Sequence, residues 1–268
     1  MSILRSILFL AVIFAVGCEL SPKVPNSAKQ NYPVIIDDSQ PRREKAEREW
    51  RRMLDFYKVA QTPPDLYPVT YTPRSIGGAA GSIKLLAGAP EPGTEAMTLR
   101  EAVKRFIDQW RELIGADPLT VSLVAATDAA DALRLTYRQA SYAFPIAGNF
   151  GEMTAIISRD GRLLQIDDRF IPVVEIPQRP AIDREEAARR VVGRTFTYSD
   201  IAGRPQQVRV NNPAEIKVKR VVVVPAEKSD TVEVHLAWEI VAGSSLSWTV
   251  YLDAMTGEEL SAVQNFQT

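Results

Sequence analysis

The sequence predicts an α+β protein made of two consecutive helix-plus-antiparallel-sheet units, with each sheet curled around its helix. A charged N-terminal helix and a flexible tether precede these units. Apolar residues recur every three to four positions in residues 98–114 and again in 183–193, a spacing typical of helices with one buried face. After each of these stretches the apolar period changes to two and turn residues separate the segments, which predicts antiparallel strands.

The chain starts with a short apolar segment that ends at its only cysteine. Arg5 is followed by an uninterrupted apolar run over 7–16. This run is about half of the roughly 20 residues that a membrane-spanning helix needs, so residues 1–17 are predicted to be a signal peptide. Residues 15–18 read Ala-Val-Gly-Cys and resemble a bacterial lipobox, although leucine is usual at the first position. The resemblance implies lipid attachment at Cys18; an ordinary secretory signal with an incidental cysteine is the alternative.

The composition indicates an ordinary globular protein, with 46% hydrophobic and 24% charged residues. The formal net charge of -1 provides no basic field for nucleic acid. A single cysteine forms neither an internal disulfide nor a thiolate zinc site. We therefore expect no cofactor, no metal and no nucleic-acid partner, and no small-molecule substrate is evident. The expected membrane attachment is through lipid on Cys18.

Residues 18–40 are polar and contain prolines, which predicts a flexible tether. Residues 41–60 predict a helix, supported by ion pairs such as Glu44 with Arg48. We interpret it as a solvated helix that docks one face on the domain; a partner-binding or membrane-surface helix is the alternative. Proline and glycine residues predict that most of 61–97 is a linker. The charged helix and this linker together form the predicted segment 41–97. The apolar stripe of the helix is Ala46, Trp50, Met53, Leu54 and Tyr57.

The next predicted element is a helix over 98–114. Thr98 and Glu101 predict a capping box at its start, and Gly115 predicts its end. Its wide apolar stripe is interpreted as core. The strands predicted after it are 119–125, 132–139, 151–158 and 162–169.

The second unit begins with a helix over 183–193 that Asp183 caps. The acidic residues of its first turn, Glu185 and Glu186, interact favourably with the helix dipole. The residues predicted to face inward are Ala187, Ala188, Val191 and Val192. The strands predicted behind this helix are 207–210, 215–224, 231–242, 247–252 and 258–263. Residues 172–180 join the two units.

Several sequence phrases resemble the propeptides of thermolysin-like and fungalysin-like metalloproteases. The phrases are Tyr-Arg-Gln-Ala-Ser-Tyr-Ala-Phe-Pro-Ile-Ala-Gly at 137–148, Ile-Asp-Arg-Glu-Glu-Ala at 182–187, and the strand pair over 236–258 that turns at Asp-Ala-Met-Thr-Gly. The resemblance covers about 74–263. It implies an FTP-like domain at 98–176 and a PepSY-like domain at 177–268. Asp253 itself is predicted to bind the backbone amides of the turn.

The chain departs from those proteases in its chemistry. They carry a His-Glu-x-x-His zinc helix, whereas this sequence has a single histidine, His235. We expect His235 to lie with Glu233 and Glu239 on the wet face of its strand. The acidic pairs Asp167-Asp168 and Glu185-Glu186 have structural interpretations, because neighbours on a strand point to opposite faces. The sequence therefore does not predict an enzyme.

The function that the resemblance implies is a membrane-tethered, non-catalytic, propeptide-like module. It would bind a secreted peptidase or envelope protein in trans, as an inhibitor or folding chaperone. The alternative is a structural or accessory envelope lipoprotein that uses the same fold as a scaffold. Exposed sheet edges are the expected contact surfaces, but the sequence does not identify the open edge. The candidate partner-binding residues are Trp50, Tyr57, Trp238 and Trp248, although burial is the simplest interpretation of the last two.

The predicted location follows from the residue after Cys18. Glu19 is not the aspartate associated with inner-membrane retention. We therefore expect a lipid-anchored envelope protein on the periplasmic face of the outer membrane, if the organism has two membranes.

Overall fold

The computed structural model describes residues 32–88, 90–91, 93–129 and 131–267. The predicted signal peptide, the predicted lipid-attachment residue Cys18 and residues 19–31 of the predicted tether lie outside the described residues. The described part combines helices with antiparallel sheets, so the α+β prediction is confirmed at that level. No helix in this part of the chain is both long and apolar enough to cross a bilayer.

The described chain contains four α-helices and thirteen strands. The helices are α1 (Gln40–Tyr57), α2 (Glu95–Gln109), α3 (Arg111–Ile114) and α4 (Arg184–Val191). The strands are β1 (Val34–Asp37), β2 (Asp65–Leu66), β3 (Pro73–Ser75), β4 (Val121–Asp128), β5 (Ala132–Gln139), β6 (Glu152–Ser158), β7 (Leu163–Asp168), β8 (Arg194–Ser199), β9 (Pro205–Val210), β10 (Ile216–Glu227), β11 (Thr231–Ala242), β12 (Trp248–Asp253) and β13 (Glu259–Gln264).

The first sheet is an antiparallel meander in which β4, β5, β6 and β7 pair in chain order. Alternate residues of β5 and β6 are buried because side chains on a strand alternate between the two faces. This face shares one hydrophobic core with α2, α3 and the apolar stripe of α1. The predicted meander is therefore confirmed, and α1 docks one face on the domain as the sequence predicts.

The second sheet is organised around β11. Strand β10 pairs along one side of β11, and β1 and β12 pair with successive parts of its other side. Strand β13 pairs with β12, and β8 pairs with β9 in a separate hairpin. One face of β11 contributes to two cores. At one end it packs with α4 and the β8–β9 hairpin, and at the other it packs with Ile146, Ile171 and Ile176, where β1 extends the sheet. The domain division at residue 176 stays a prediction.

The helix ends test the predicted capping signals. Asp183 Oδ1 accepts the N–H of Glu186 at 2.7 Å, so the predicted cap of α4 is confirmed. Gly115 ends α3 with φ 70°, as predicted. The single helix predicted over 98–114 is wrong, because Trp110 ends α2 and precedes α3. The predicted capping box of Thr98 and Glu101 is wrong. Helix α2 begins at Glu95, one turn earlier, and the Thr98 N–H donates to the backbone carbonyl of the N-cap residue Thr94 at 2.9 Å.

Two segments are more ordered than the sequence indicates. Residues 34–37 lie in the predicted tether but form β1, which pairs with β11. Residues 61–97, predicted to be mostly linker, contain the β2–β3 hairpin and contribute buried side chains to the first core. Those side chains are Ile76, Ala79, Ile83 and Leu86.

Three local predictions are also corrected. Strand β8 was not predicted. Val192 was predicted to face inward, but it is 37% exposed because α4 ends at Val191 and the chain becomes extended. On α1, an ion pair joins Arg43 to Glu47, not the predicted Glu44 to Arg48.

Candidate functional site

Strand β4 is the candidate interaction edge. Among the described residues it pairs only with β5, so its other side has no strand partner. Every β4 residue after Val121 is exposed, including Leu123 at 38% and Val124 at 52%. The strand carries one charged residue, Asp128, at its end, and Arg159 forms an ion pair with it. A nearly uncharged, exposed edge of this kind accepts an additional strand.

The pairing of β4 determines which backbone groups face away from β5. The N–H of Ala129 donates to Ala132 O at 2.9 Å. Because hydrogen-bonded and non-hydrogen-bonded pairs alternate in an antiparallel ladder, the N–H of Ala126 points away from β5. A β-bulge between Leu123 and Ala125 leaves Val124 without a partner on β5. The outer edge therefore offers free backbone donors and an apolar side chain together.

An apolar groove lies beside this edge, between α2 and β4. Its cavity has a volume of about 290 Å³. Burial, followed by the nearby Glu101 carboxylate, raises the pKa of Tyr137 to about 12, so its phenol stays neutral at ordinary pH. The groove is lined by Arg100, Glu101, Lys104, Ile107, Pro118, Val121, Leu123 and Tyr137. It thus has an apolar floor and a charged rim.

Other sheet edges are covered to different extents. The chain near Gly81 and Ile83 covers the outer edge of β7, where Leu163 N donates to Ile83 O at 2.9 Å. On β10, the N–H of Val223 donates to Pro145 O at 2.9 Å. Among the described residues, β13 pairs only with β12 and is also an open edge. What distinguishes β4 is the apolar groove that its own residues line.

A second cluster of polar groups lies on β11 and β12. His235 Nδ1 is 2.8 Å from Asp253 Oδ2, and His235 Nε2 is 3.3 Å from Glu233 Oε2. The Tyr32 hydroxyl donates to Asp253 Oδ2 at 2.8 Å and accepts the Leu236 N–H at 3.0 Å. His235 is 8% exposed, so its predicted wet position is wrong. The Tyr32 ring packs edge-on against it, 5.9 Å between centroids.

The electrostatics of this cluster favour a structural anchor. Burial raises the pKa of Asp253, but hydrogen bonds from His235, Thr256, Met255 and Tyr32 outweigh it and hold that pKa below its usual range. The pKa of Tyr32 is raised, first by burial and then by its hydrogen bond to Asp253. Tyr32 therefore acts as a hydrogen-bond donor and not as a nucleophile. The predicted contact of Asp253 with the turn amides is confirmed, at 2.8 Å to Met255 N and 2.9 Å to Thr256 N.

A crevice of about 590 Å³ includes residues of α1, α3 and the turn at 70–72. Its charged groups mostly contact the protein itself. Arg42 Nη1 donates to Val69 O at 2.8 Å, and Lys45 forms an ion pair with Glu112. Val69 and Tyr71 have φ of 68° and 58°, values that cost a non-glycine residue about 1–2 kcal/mol. Arg42 thus helps to hold a strained turn.

The tryptophans predicted as partner contacts have packing roles in this conformation. Trp50 is 1% exposed, and its Nε1 donates to Thr62 O at 2.7 Å. Trp248 is 3% exposed and stacks on Phe196 with 4.6 Å between ring centroids. Neither ring offers a free face to a partner. Trp238 and Tyr57 are half-buried.

The two acidic pairs lie where the sequence predicts, Asp167 and Asp168 on opposite faces of β7 and Glu185 with Glu186 in the first turn of α4. Asp167 accepts a hydrogen bond from Tyr67 at 2.8 Å, whereas Asp168 is fully buried on the opposite face. Glu186 pairs with Arg189 and Arg190 on α4. Within the described ranges, no group of three or more His, Cys, Asp or Glu residues is arranged to hold a metal ion.

Comparison with known proteins adds little to these observations. No family model and no curated protein matches the sequence. Among solved structures, the C-terminal domain of YpeB from Bacillus megaterium aligns with a TM-score of 0.33 at 12% identity, covering 67% of this chain and 69% of that chain. A likeness at this level establishes neither a shared fold nor a shared function. The resemblance to metalloprotease propeptides stays a prediction.

Proposed function

We propose that this protein is a non-catalytic binding module that holds an extended segment of another protein against the outer edge of β4. Its partner would be a secreted peptidase or another envelope protein, which it inhibits or helps to fold. The observation that carries the proposal is the exposed, nearly uncharged edge of β4. Strand addition gives affinity through main-chain hydrogen bonds and specificity through pockets for alternate side chains.

The groove supports the second half of that mechanism. Side chains on an added strand alternate between the two faces, so every second side chain points to the face that α2 borders. Leu123 lies opposite Tyr137 in the β4–β5 ladder, and both line the groove. A residue that pairs with Leu123 on an added strand would therefore lie beside the cavity.

Attachment to the membrane is part of the proposal. A lipid on Cys18 would confine the module to the surface where secreted proteins emerge, and confinement raises the effective concentration of a partner in the same compartment. On this proposal the lipid provides the location and β4 provides the contact.

The test compares two alanine-to-proline variants in the full-length protein extracted in detergent. Ala126→Pro removes an N–H on the outer edge of β4. Ala262→Pro is its matched control on β13: Asn265 N donates to Ser247 O at 3.0 Å, so ladder alternation directs the Ala262 N–H away from β12. Each variant replaces the wild type in pull-downs from solubilised envelope and in peptide-cleavage assays of any recovered peptidase.

We expect Ala126→Pro to lose the partner and Ala262→Pro to retain it. The loss should be at least about tenfold in affinity, because one backbone hydrogen bond is lost and the ring blocks the approaching strand. Equal binding by both variants would refute the role of β4. Recovery of envelope components other than peptidases, unaffected by Ala126→Pro, would favour the accessory scaffold.

A further inference from the structure

We infer that the β4 edge selects an extended acidic segment with a large apolar side chain at the position facing the groove. This inference rests on the proposed strand addition at β4 and names the chemistry of the partner. Both parts of the preference come from side chains that line the groove, and each is argued separately.

The apolar preference follows from the floor of the groove. Ile107 is 2% exposed and Tyr137 is 5% exposed, while Val121 and Leu123 border them from β4. A side chain that enters this space exchanges water for an apolar surface that already exists, so little of the protein needs to rearrange. The volume of about 290 Å³ accommodates a leucine or a phenylalanine side chain.

The acidic preference follows from the rim. Arg100 and Lys104 are four residues apart on α2, so they project from the same side of the helix, and both are exposed. In the described part of the chain, neither Arg100 nor Lys104 takes part in an ion pair. Of the residues that line the groove, only Glu101 is acidic. The lining therefore has a positive excess that an incoming carboxylate would meet.

A second copy of this protein fits the edge less well than a foreign acidic segment. Two copies paired through β4 would bring two identical positive rims to the interface. Asp128, the only carboxylate on β4, already pairs with Arg159. An interface of one eight-residue strand on another is also small compared with the surface that a stable dimer buries.

The test measures binding of fluorescent eight-residue peptides to the full-length protein by anisotropy. The parent peptide has alternating valine and threonine, a central leucine and flanking glutamates. One analogue replaces the glutamates with lysines, another replaces them with glutamines, and a third replaces the leucine with serine. The protein variants are Arg100→Glu with Lys104→Glu, and Lys217→Glu with Lys219→Glu as a control with the same charge change on exposed positions of β10.

We expect the glutamate peptide to bind about tenfold more tightly than the lysine peptide, since exposed ion pairs contribute modestly and like charges repel by similar amounts. The Arg100→Glu, Lys104→Glu variant should abolish or reverse that preference, and the β10 control should keep it. The preference should also weaken at high salt. The serine analogue should bind several-fold more weakly.

The outcomes separate this inference from the proposed function. Peptides that bind, are lost in Ala126→Pro and show no charge preference would overturn the inference and leave strand addition at β4 in place. Absence of any binding sensitive to Ala126→Pro would overturn both. A concentration-dependent dimer that Ala126→Pro abolishes, without peptide binding, would assign the edge to a second copy and also overturn the inference.

Discussion

Replacing Asp253 with alanine should destabilise the protein strongly, because one side chain accepts four hydrogen bonds. Two come from the turn amides of Met255 and Thr256, and the others come from His235 and the Tyr32 hydroxyl. A hydrogen bond to a charged group contributes about 1.5–3 kcal/mol, and a buried donor left unpaired costs about 1–3 kcal/mol. The turn amides are partly exposed and regain water, so the four losses do not add in full.

We expect a loss of about 3–5 kcal/mol in the free energy of unfolding, most of it from the desolvated His235 and Tyr32. That is a large fraction of the roughly 5–15 kcal/mol of a typical domain. Urea unfolding followed by tryptophan fluorescence measures the change. Asp230→Ala is the matched control: Asp230 is exposed in a turn, and its loss should cost less than about 0.5 kcal/mol.

The sign of the pH dependence gives a sharper test of the same reasoning. The folded pKa of Asp253 is lowered, so its contribution is complete above the unfolded value near 4 and is lost as pH falls through the folded value. The difference in stability between wild type and Asp253→Asn should therefore shrink as pH falls below about 4. A cost under about 1 kcal/mol for Asp253→Ala, or a difference that grows in acid, would refute this account.

Three further predictions concern buried and turn positions. Burial raises the pKa of the Asp168 carboxyl well above its usual range, so folding favours its protonated form. The free energy of unfolding should therefore decline as pH rises above about 4, where the unfolded chain loses this proton. Asp168→Asn should remove that decline in urea unfolding measured between about pH 4.5 and 7. Gly257→Ala should lower the melting temperature more than Gly203→Ala, although both glycines have positive φ. A Cβ at 257 would lie 2.6 Å from Cδ1 of the buried Ile182 and would displace Arg190, whose Nη1 donates to Thr256 O, whereas a Cβ at 203 meets nothing within 4 Å. Trp50→Ala should cost about 3–5 kcal/mol of unfolding free energy and Trp50→Phe clearly less; equal costs would contradict a packing role.

Sequence periodicity predicted the elements that bury one regular face. The stripe of α1 and the bounds of β11 were predicted correctly, because amphipathic spacing over many residues has few alternative explanations. Asp183 was recognised as a cap because its bond to Glu186 N is local in sequence. At the start of α2, by contrast, a local sequence pattern led to a wrong prediction. Thr98 and Glu101 have the spacing of a capping box, but the helix continues one turn before them.

The candidate site depends on contacts that sequence spacing does not encode. Tyr32 lies 221 positions from Asp253, and no local pattern connects a tyrosine within the predicted tether with a turn near the other end of the chain. His235 was assigned to solvent by strand alternation alone, whereas Tyr32 and Asp253 cover it. The sequence of β4 indicates an unusual strand only weakly. Leu123 and Val124 are adjacent, and apolar residues on both faces of a strand conflict with a single buried face.

The sheet edges of this protein differ in how they are protected from an additional strand. Proteins protect open edges with charges, prolines, bulges or covering loops. Here the chain covers β7 near Ile83 and contacts β10 at Val223, whereas β4 and β13 are open and carry neither lysine nor proline. Of these two open edges, β4 is the one whose own residues line an apolar groove. The bulge in β4 is one device that deters an additional strand. Its unpaired residue is Val124, however, which is apolar and 52% exposed, where a charged side chain would deter pairing more strongly. An edge that the fold leaves apolar beside a preformed groove is better explained by a partner strand than by avoidance of one.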